Sequence, residues 1–464
     1  MLNVANWTGR LRVLATRAHV PGATLGIWSD GQEVVAAYGT LNRATQVSVT
    51  GDSLFQIGSI TKIWTTTMIM QLVDGGLLSL DTTVADVLPG IRIGAADVGG
   101  QVTIRHLLTH TSGIDGDIFT DTGRGDDCVE RYVRVMAEAS SIFPPGAAYS
   151  YSNSGFVLLG RIIEVLDGQS WDESLRERLT GPLALTHTVT LPEEAILQRA
   201  AVGHHGSGTR VQVWGLPRSI GPAGLITAGA SDLLTFARLH LDGGIAPDGK
   251  RLLSEASVSV MQQPQAAIPE FAMPGAAIGL GWRLGHWDGR LIIGHDGDTV
   301  GQSAYLRIDP EARLAVCLLT NAAESESLAR ELFNEVFGTL AGVTMPAGPR
   351  PLVTSAGPEA AAVSPADPGL EELAGRYERT SRRFEVSWRD GQLYLIVTVT
   401  GKLADLVNSE PEELILHPAD SSGRRFVVRS GDDKPWAPLS FGQLADGTPY
   451  LYMSGRVTPR VRAA

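Results

Sequence analysis

Residues 55–62 read Phe55-Gln56-Ile57-Gly58-Ser59-Ile60-Thr61-Lys62 and open an apolar segment that ends at Gly75-Gly76. The segment from Ser59 to Asp74 is predicted to be a helix, although its many β-branched residues mean that burial must stabilise it. Ser59 and Lys62 lie three residues apart, so their side chains project from one face of that helix. Unpaired N–H groups at the helix N-terminus favour negative charge that develops beside Ser59.

Lys62 is unusual in a chain that otherwise uses arginine. Four of the 38 basic residues are lysines, and Lys62 is the only one among the first 249 residues. Arginine keeps its proton near neutral pH, whereas a buried lysine can lose it. A neutral Lys62 could take the hydroxyl proton of Ser59 and activate it as a nucleophile, provided that its pKa falls from about 10.4 to about 7. The plainer interpretation is a surface lysine next to a helix-capping serine.

Two further motifs follow in order along the chain. Tyr151-Ser152-Asn153 precedes a predicted apolar helix, and His295-Asp296-Gly297 follows the strand-like Leu291-Ile292-Ile293. The motifs His-Glu-x-x-His, Cys-x-x-Cys, Gly-x-x-x-x-Gly-Lys-Ser/Thr and Gly-x-Ser-x-Gly are absent from the sequence. Zinc-peptidase, redox, nucleotide-binding and α/β-hydrolase chemistry therefore lose their usual support. We expect no metal and no cofactor.

These motifs resemble those of the penicillin-binding-protein and class C β-lactamase superfamily of serine hydrolases, which are Ser-x-x-Lys, Tyr-x-Asn and Lys/His-x-Gly. Residues 55–58, residues 104–113 and Gly281-Trp282 are also similar to that family. The resemblance covers residues 10–340. It implies an α/β (α+β) domain over residues 1–345, in which an antiparallel sheet is flanked by helices and by an all-helical region.

The predicted secondary structure agrees with such a domain and adds a second one. Helices are predicted at 103–110, 155–167, 231–241 and 325–341, and strands at 22–38, 291–294, 302–308 and 313–319. Residues 346–368 are rich in Pro and Ala and are predicted to be a linker. Repeated hairpin patterns over 369–464 predict a small antiparallel barrel or sandwich, and the resemblance favours a lipocalin-like β-barrel.

The resemblance assigns a role to each motif residue. Ser59 would be the acylated nucleophile and Lys62 its proton acceptor. Tyr151 would share protons with Lys62 and protonate the leaving group. Asn153 would hydrogen-bond either Lys62 or the substrate amide. His295 stands where a lactamase has lysine, and its imidazole would hydrogen-bond the Tyr151 phenol and stabilise its ionised form.

The resemblance also implies groups around the acyl carbon. The backbone N–H groups of Ser59 and Asp298 would form the oxyanion hole, with Gly297 lining the substrate site. Arg456, in the C-terminal region, would orient a bound peptide; the alternative is a solvated arginine near the chain end. Other polar side chains are expected to be structural or solvated, namely His106, His110, Asp296 and Asp298.

The charge balance and the first residues limit the choice of partners. The 38 basic and 50 acidic residues give a net charge of −12, which argues against nucleic acid or an anionic membrane as a partner. Residues 1–7 lack the basic start and apolar core of a secretory signal, so the sequence predicts a cytoplasmic protein. The lack of a secretory signal argues against a periplasmic enzyme of cell-wall metabolism. His295, in place of lysine, argues against an efficient β-lactamase.

Among the branches of the superfamily, the chain most resembles the penicillin-binding-protein-type thioesterases. Those stand-alone enzymes release and head-to-tail cyclise nonribosomal peptides that carry a D-configured C-terminal residue. The resemblance thus implies a peptidyl thioester or ester substrate, delivered by a carrier protein of a peptide synthetase. A hydrolase of D-amino-acid peptides or esters (D-aminopeptidase, carboxypeptidase or esterase) is an alternative. A non-catalytic penicillin-recognising sensor is an alternative of another class.

Overall fold

The structure is a computed structural model that describes residues 2–94, 98–206, 208–273, 275–352, 369–407, 410–431 and 434–461. Its α-helices are α1 Val4–Arg17, α2 Thr61–Asp74, α3 Val84–Val87, α4 Ile104–Leu108, α5 Cys128–Val135, α6 Asn153–Asp167, α7 Trp171–Leu175, α8 Pro192–Ala195, α9 Gly221–Gly224, α10 Ala230–Leu241, α11 Glu255–Met261, α12 Glu326–Leu340 and α13 Gly401–Val407. No helix in these ranges is long and apolar enough to cross a membrane.

The strands up to residue 320 form two sheets. They are β1 Gly22–Ser29, β2 Gln32–Asn42, β3 Val47–Ser48, β4 Phe55–Gln56, β5 Thr188–Val189, β6 Thr227–Ala228, β7 Ala266–Ala267, β8 Ala277–Ile278, β9 Arg283–Trp287, β10 Arg290–Thr299, β11 Gln302–Asp309 and β12 Leu314–Thr320. Nine of them pair antiparallel in the order β3-β2-β1-β12-β11-β10-β9-β8-β7, and β4-β6-β5 form a small separate sheet. The long predicted strands and helices are confirmed, with most bounds within two residues, whereas β2 and β10 extend four and five residues beyond their predicted ends.

The central sheet is covered on both faces, as its sequence pattern requires. Every residue of β12 is buried, and alternate side chains point to opposite faces of the strand. Val316 and Leu318 pack in a cluster with α1 and α12, whereas Cys317 and Leu319 pack in the cluster that contains α2, α6 and α10. Helix α2 is therefore held inside the protein, which explains how a segment rich in β-branched residues stays helical.

The turn that carries Ser59 differs from the predicted helix start. Gly58, Ser59 and Ile60 form a single 3₁₀ turn, and α2 begins only at Thr61. Gly58 has a φ of 51°, a backbone conformation that glycine adopts without strain. The turn contacts β10 and β11 of the sheet, so Ser59 lies where the helical region meets the sheet edge.

The C-terminal strands follow one another in two further antiparallel sheets. The first contains β13 Gly375–Arg379, β14 Arg382–Arg389, β15 Gln392–Val399 and β16 Glu412–Ile415. The second contains β17 His417–Pro418, β18 Arg425–Val428, β19 Ala437–Gln443, β20 Pro449–Met453 and β21 Arg456–Pro459. A single bridge between Tyr377 and Arg460 joins the first and last strands.

The predicted lipocalin-like barrel is therefore not borne out as a closed sheet. Within the described residues the two C-terminal sheets stay separate, because one bridge does not make a continuous ladder between them. Their inner faces still share one apolar core, which includes Tyr377, Leu395, Phe426 and Leu451. The predicted linker spans residues 346–368, of which 353–368 lie outside the described residues. The predicted domain boundaries stay predictions.

Candidate active site

The side chains of the half-buried Ser59 and the buried Lys62 meet, as the helical spacing predicted. The Lys62 Nζ atom lies 3.1 Å from Ser59 Oγ. Lys62 is completely buried, and burial is the main reason why its pKa lies well below the ordinary value for lysine. The positive charges of Arg456 and Arg283 lower the pKa further, while Asp117 raises it. The surface-lysine alternative is wrong.

The hydrogen-bond partners of Lys62 keep the lone pair of its amine nitrogen available to Ser59. The amine donates to Asn153 Oδ1 at 2.7 Å and to the Ala223 carbonyl oxygen at 2.6 Å. Both acceptors are oxygens without a proton to give, so a neutral amine uses its two N–H bonds on them. The remaining position faces Ser59, whose hydroxyl can then donate to the lysine nitrogen. This geometry suits proton transfer from Ser59 to Lys62.

Tyr151 closes the other side of this pair. Its ring centroid lies 4.9 Å from Lys62 Nζ, and the side chain is buried. Burial raises the pKa of the phenol above its ordinary value, against the opposing effects of Arg283, the Ser59 hydroxyl and Arg456. The phenol is therefore protonated at neutral pH. Among the described residues Tyr151 Oη makes no hydrogen bond of good geometry, although the Ser59 hydroxyl lies near enough to lower its pKa, so the phenol can bond either Ser59 or a substrate atom.

His295 lies in the same pocket but does not make the predicted hydrogen bond. Its ring centroid is 6.0 Å from that of Tyr151, and in the described part of the chain neither His295 Nε2 nor Tyr151 Oη has a hydrogen-bond partner. The Nδ1–H group donates to the Asp296 carbonyl oxygen at 2.5 Å, which leaves Nε2 as a lone-pair acceptor. Burial, then Arg283 and Lys62, lower the pKa of His295 well below its ordinary value, so the imidazole is neutral.

The C-terminal strands reach this pocket through the turn between β20 and β21. The Tyr151 backbone N–H donates to the Gly455 carbonyl oxygen at 2.9 Å. The guanidinium carbon of Arg456 lies 4.8 Å from the Tyr151 ring centroid. With 18% of its side chain exposed, Arg456 is part of the pocket wall, and its interpretation as a solvated terminal arginine is wrong.

Backbone groups of two segments come together beside Ser59. A Cβ atom on Gly297 would lie 1.9 Å from the Ile57 carbonyl oxygen and 2.8 Å from the Ser59 amide nitrogen. A Cβ atom on Gly58 would lie 2.7 Å from the Asp298 amide nitrogen. The two amide groups predicted to hold an oxyanion are therefore close together, and the contact is tight enough that only glycine fits at either position.

The comparisons with known proteins agree with this arrangement. The Beta-lactamase family model matches residues 9–340, which is most of the chain. The chain belongs to the beta-lactamase family. Its sequence is 48% identical to Penicillin-binding protein 4 of Amycolatopsis lactamdurans over 387 residues, 81% of this chain and 97% of that protein. It is thus a member of the β-lactamase and penicillin-binding-protein superfamily of serine hydrolases.

Two solved structures extend the comparison. The crystal structure of SurE covers 98% of this chain and 98% of its own, with 28% identity and a TM-score of 0.74, and the same protein has been solved with D-Leu. A D-stereospecific amidohydrolase from Streptomyces sp. covers 72% of this chain and 99% of its own, with 27% identity and a TM-score of 0.58. The SurE similarity includes the C-terminal sheets, because it covers almost the whole chain.

Several residues of this β-lactamase-family pocket were missed or misread in the sequence. Arg283, directly after Gly281-Trp282, lies 3.1 Å from Asp296 and places its guanidinium 5.7 Å from the Tyr151 ring centroid. Asp296 was expected to be solvated, but it is paired with Arg283 and Arg307. Burial opposes its ionisation, yet these two arginines outweigh burial and lower the pKa of Asp296.

The histidines expected to be structural are structural. His110 Nδ1 accepts a hydrogen bond from the Ser152 N–H at 3.0 Å, and His106 Nδ1 accepts one from Thr103. The Asp298 carboxylate accepts a hydrogen bond from Ser303 Oγ at 2.7 Å.

Proposed function

We propose that this protein is a serine acyl-transfer enzyme that forms an acyl-enzyme on Ser59. The contact between Ser59 Oγ and the buried Lys62 amine, whose pKa burial lowers well below the ordinary value for lysine, is the observation that carries the proposal. Ser59 Oγ attacks the carbonyl carbon of a thioester or ester while its proton passes to Lys62. The tetrahedral intermediate then collapses, the bond to the leaving group breaks, and the leaving group takes the proton from Lys62 through the Tyr151 phenol.

The second half-reaction reverses these roles. An amine or a water molecule attacks the acyl carbon and gives a proton to Lys62. The bond to Ser59 Oγ breaks, and Ser59 recovers its proton. His295 offers the lone pair of Nε2 as an acceptor and Asn153 holds the lysine, so neither residue needs to change charge during the cycle.

The oxyanion hole of this proposal gives a first prediction. Gly297→Ala is expected to slow acylation by about a hundredfold, because the added methyl group displaces the Ser59 N–H from the oxyanion. Gly285→Ala on β9 is the matched control, since the atom nearest to its Cβ would be 4.0 Å away. The measurement is the acylation rate with an activated ester, followed by intact-protein mass spectrometry on folded variants. Equal rates for the two variants would count against this oxyanion hole.

We favour a peptide cyclase that releases a peptidyl thioester as a macrolactam, with a D-configured residue at the acyl carbon. Three observations support this choice. The similarity to SurE spans almost the whole chain, and one SurE structure contains D-Leu. The C-terminal turn at Gly455 covers Tyr151, and thereby one side of the pocket. A covered pocket favours capture of the acyl group by the peptide's own amine over capture by water.

A hydrolase of D-amino-acid peptides or esters is the second candidate. It is favoured by the similarity to the D-stereospecific amidohydrolase and to a D-amino acid amidase from Ochrobactrum anthropi, the latter 25% identical with a TM-score of 0.57. The chemistry on Ser59 is the same in both candidates, and only the acceptor differs. The carrier protein as donor and a cytoplasmic location remain predictions of the cyclase proposal.

A single incubation separates the two candidates. A linear peptidyl thioester with a free N-terminal amine and a D-configured C-terminal residue is mixed with the protein, and the products are analysed by liquid chromatography and mass spectrometry. We expect the macrocycle, 18 mass units lighter than the linear acid because one water is not incorporated. The linear acid alone would support the hydrolase and contradict the cyclase. Ser59→Ala is expected to give neither product above the uncatalysed background.

A further inference from the structure

A buried carboxylate connects the C-terminal strands to the machinery around Lys62. Asp117 Oδ1 accepts hydrogen bonds from Asn153 Nδ2 at 2.9 Å and from Arg456 Nη2 at 3.0 Å. Asp117 Oδ2 accepts one from Arg379 Nη1 at 2.5 Å. The Asp117 side chain is 5% exposed, so these ionic contacts are made away from bulk water. One carboxylate thus holds one side chain of the pocket and two arginines of β13 and β21.

Asn153 transmits this contact to the lysine. Its amide nitrogen donates to Asp117, and its amide oxygen accepts from Lys62 Nζ at 2.7 Å. An amide can satisfy both partners in only one orientation, because its nitrogen donates and its oxygen accepts. A carboxylate at position 117 therefore orients Asn153 with its oxygen towards Lys62. In the reversed orientation the Asn153 amide nitrogen would face the Lys62 amine. Both groups are donors, so the hydrogen bond that holds Lys62 would be weakened.

We propose that Asp117 is a positioning residue for Lys62, which orients Asn153 and pairs with the two arginines that the C-terminal strands bring to the pocket. This proposal depends on the proposed function in one respect, namely that Lys62 is the base. Asp117 does not touch the reacting atoms, and it acts through Asn153 and through its charge. The C-terminal strands would then be part of the machinery that sets the protonation of the base, in addition to covering the pocket.

The charges around Lys62 determine the sign of this effect. The charged groups that face the amine are Arg456 from β21, Arg283 from β9 and Asp117 from the loop before α5, and the neutral titratable groups are Tyr151, His110 and His295. Arg456 and Arg283 lower the pKa of Lys62, and Asp117 raises it. Removal of the Asp117 charge should therefore lower the pKa of Lys62, whereas removal of the Arg456 charge should raise it.

A direct titration of Lys62 tests this prediction without an assay of activity. The chain contains four lysines, so protein labelled with ¹³C at lysine Cε gives few signals, and loss of one signal in Lys62→Arg identifies Lys62. Asp117→Asn is expected to lower the pKa of Lys62, and Arg456→Gln to raise it, each by about half a pH unit or more. Asn has the shape of Asp, and Gln keeps an N–H donor on a shorter side chain than that of Arg, so both variants are expected to fold.

Asp115→Asn is the matched control. Asp115 is also buried and also binds the C-terminal strands, since it accepts hydrogen bonds from Thr380 N at 2.8 Å and Thr380 Oγ1 at 2.7 Å. It makes no hydrogen bond to Asn153 in the described structure. We expect the Lys62 titration to be unchanged in Asp115→Asn. An unchanged or raised Lys62 pKa in Asp117→Asn, or an equal fall in Asp115→Asn, would overturn the proposal.

The orientation of Asn153 has its own readout. At a pH above the pKa of Lys62, Asp117→Ala is expected to be acylated at Ser59 about tenfold more slowly than Asp117→Asn, because only asparagine still accepts from Asn153 Nδ2. Equal acylation rates in the two folded variants would remove the positioning role. If the wild-type protein is not acylated at all, the proposed function fails, while the titration still decides whether Asp117 acts on Lys62.

Discussion

Lys62→Arg is expected to lower the rate of Ser59 acylation by about a thousandfold or more. The reason is chemical, because arginine keeps its proton at all accessible pH values and has no lone pair for the serine hydroxyl. The Lys62 amine is completely buried and lies 3.1 Å from Ser59 Oγ, so its loss removes the proton acceptor that the structure places beside the serine. The measurement is the burst of leaving group from an activated ester, together with the mass of the acyl-enzyme.

Two further variants make this result interpretable. Lys250→Arg makes the same substitution at an exposed lysine and should leave the burst unchanged. Lys62→Met removes the charge but keeps a side chain of similar length, so it should fold even if the site is too tight for arginine. This variant should also be inactive. If either Lys62 variant is folded and keeps its rate within about tenfold of wild type, Lys62 is not the base.

Tyr151→Phe is expected to slow acyl transfer by about a thousandfold while leaving the fold intact. The variant removes one oxygen, and that oxygen has no hydrogen-bond partner among the described residues, so little stability is at stake. Burial keeps the pKa of the phenol above its ordinary value, so the resting phenol is protonated and can act as a proton donor and relay. The defect should therefore be largest for leaving groups that must be protonated and smaller for an activated ester.

Tyr149→Phe is the control for this experiment. Tyr149 is equally buried and lies two residues away, but its ring packs edge-on against His110 at 5.8 Å. We expect thermal stability and activity close to wild type in this variant. The relay role of Tyr151 would be contradicted if Tyr151→Phe lost no more activity than Tyr149→Phe, or if its loss were the same for good and poor leaving groups.

The pocket was largely predictable because its central residues belong to short motifs. Ser59 and Lys62 are one helical turn apart, and Tyr151 and Asn153 flank the start of α6, so local structure brings each pair together. Asp117 and Arg379 gave no such signal. They are 262 residues apart, and in a sequence a lone carboxylate or guanidinium is indistinguishable from a surface charge.

Two other errors came from geometry that a sequence pattern does not contain. Repeated hairpins predict strands, but closure of a barrel depends on a continuous ladder between the first and last strands. Among the described residues one bridge, from Tyr377 of β13 to Arg460 just after β21, takes the place of such a ladder. The predicted hydrogen bond between His295 and Tyr151 required Nε2 and Oη to meet at the right distance and angle. Among the described residues neither atom has a hydrogen-bond partner, and His295 Nδ1 donates to a backbone carbonyl.

The proposed chemistry depends on a lysine that can lose its proton in the folded protein. The most direct measurement is the pH titration of the Lys62 Cε signal in the unmodified chain, assigned by its loss in Lys62→Arg. Burial together with Arg456 and Arg283 predicts that Lys62 titrates well below the usual value of about 10.4. A Lys62 signal that titrates at or above that usual value would contradict the role of Lys62 as the base.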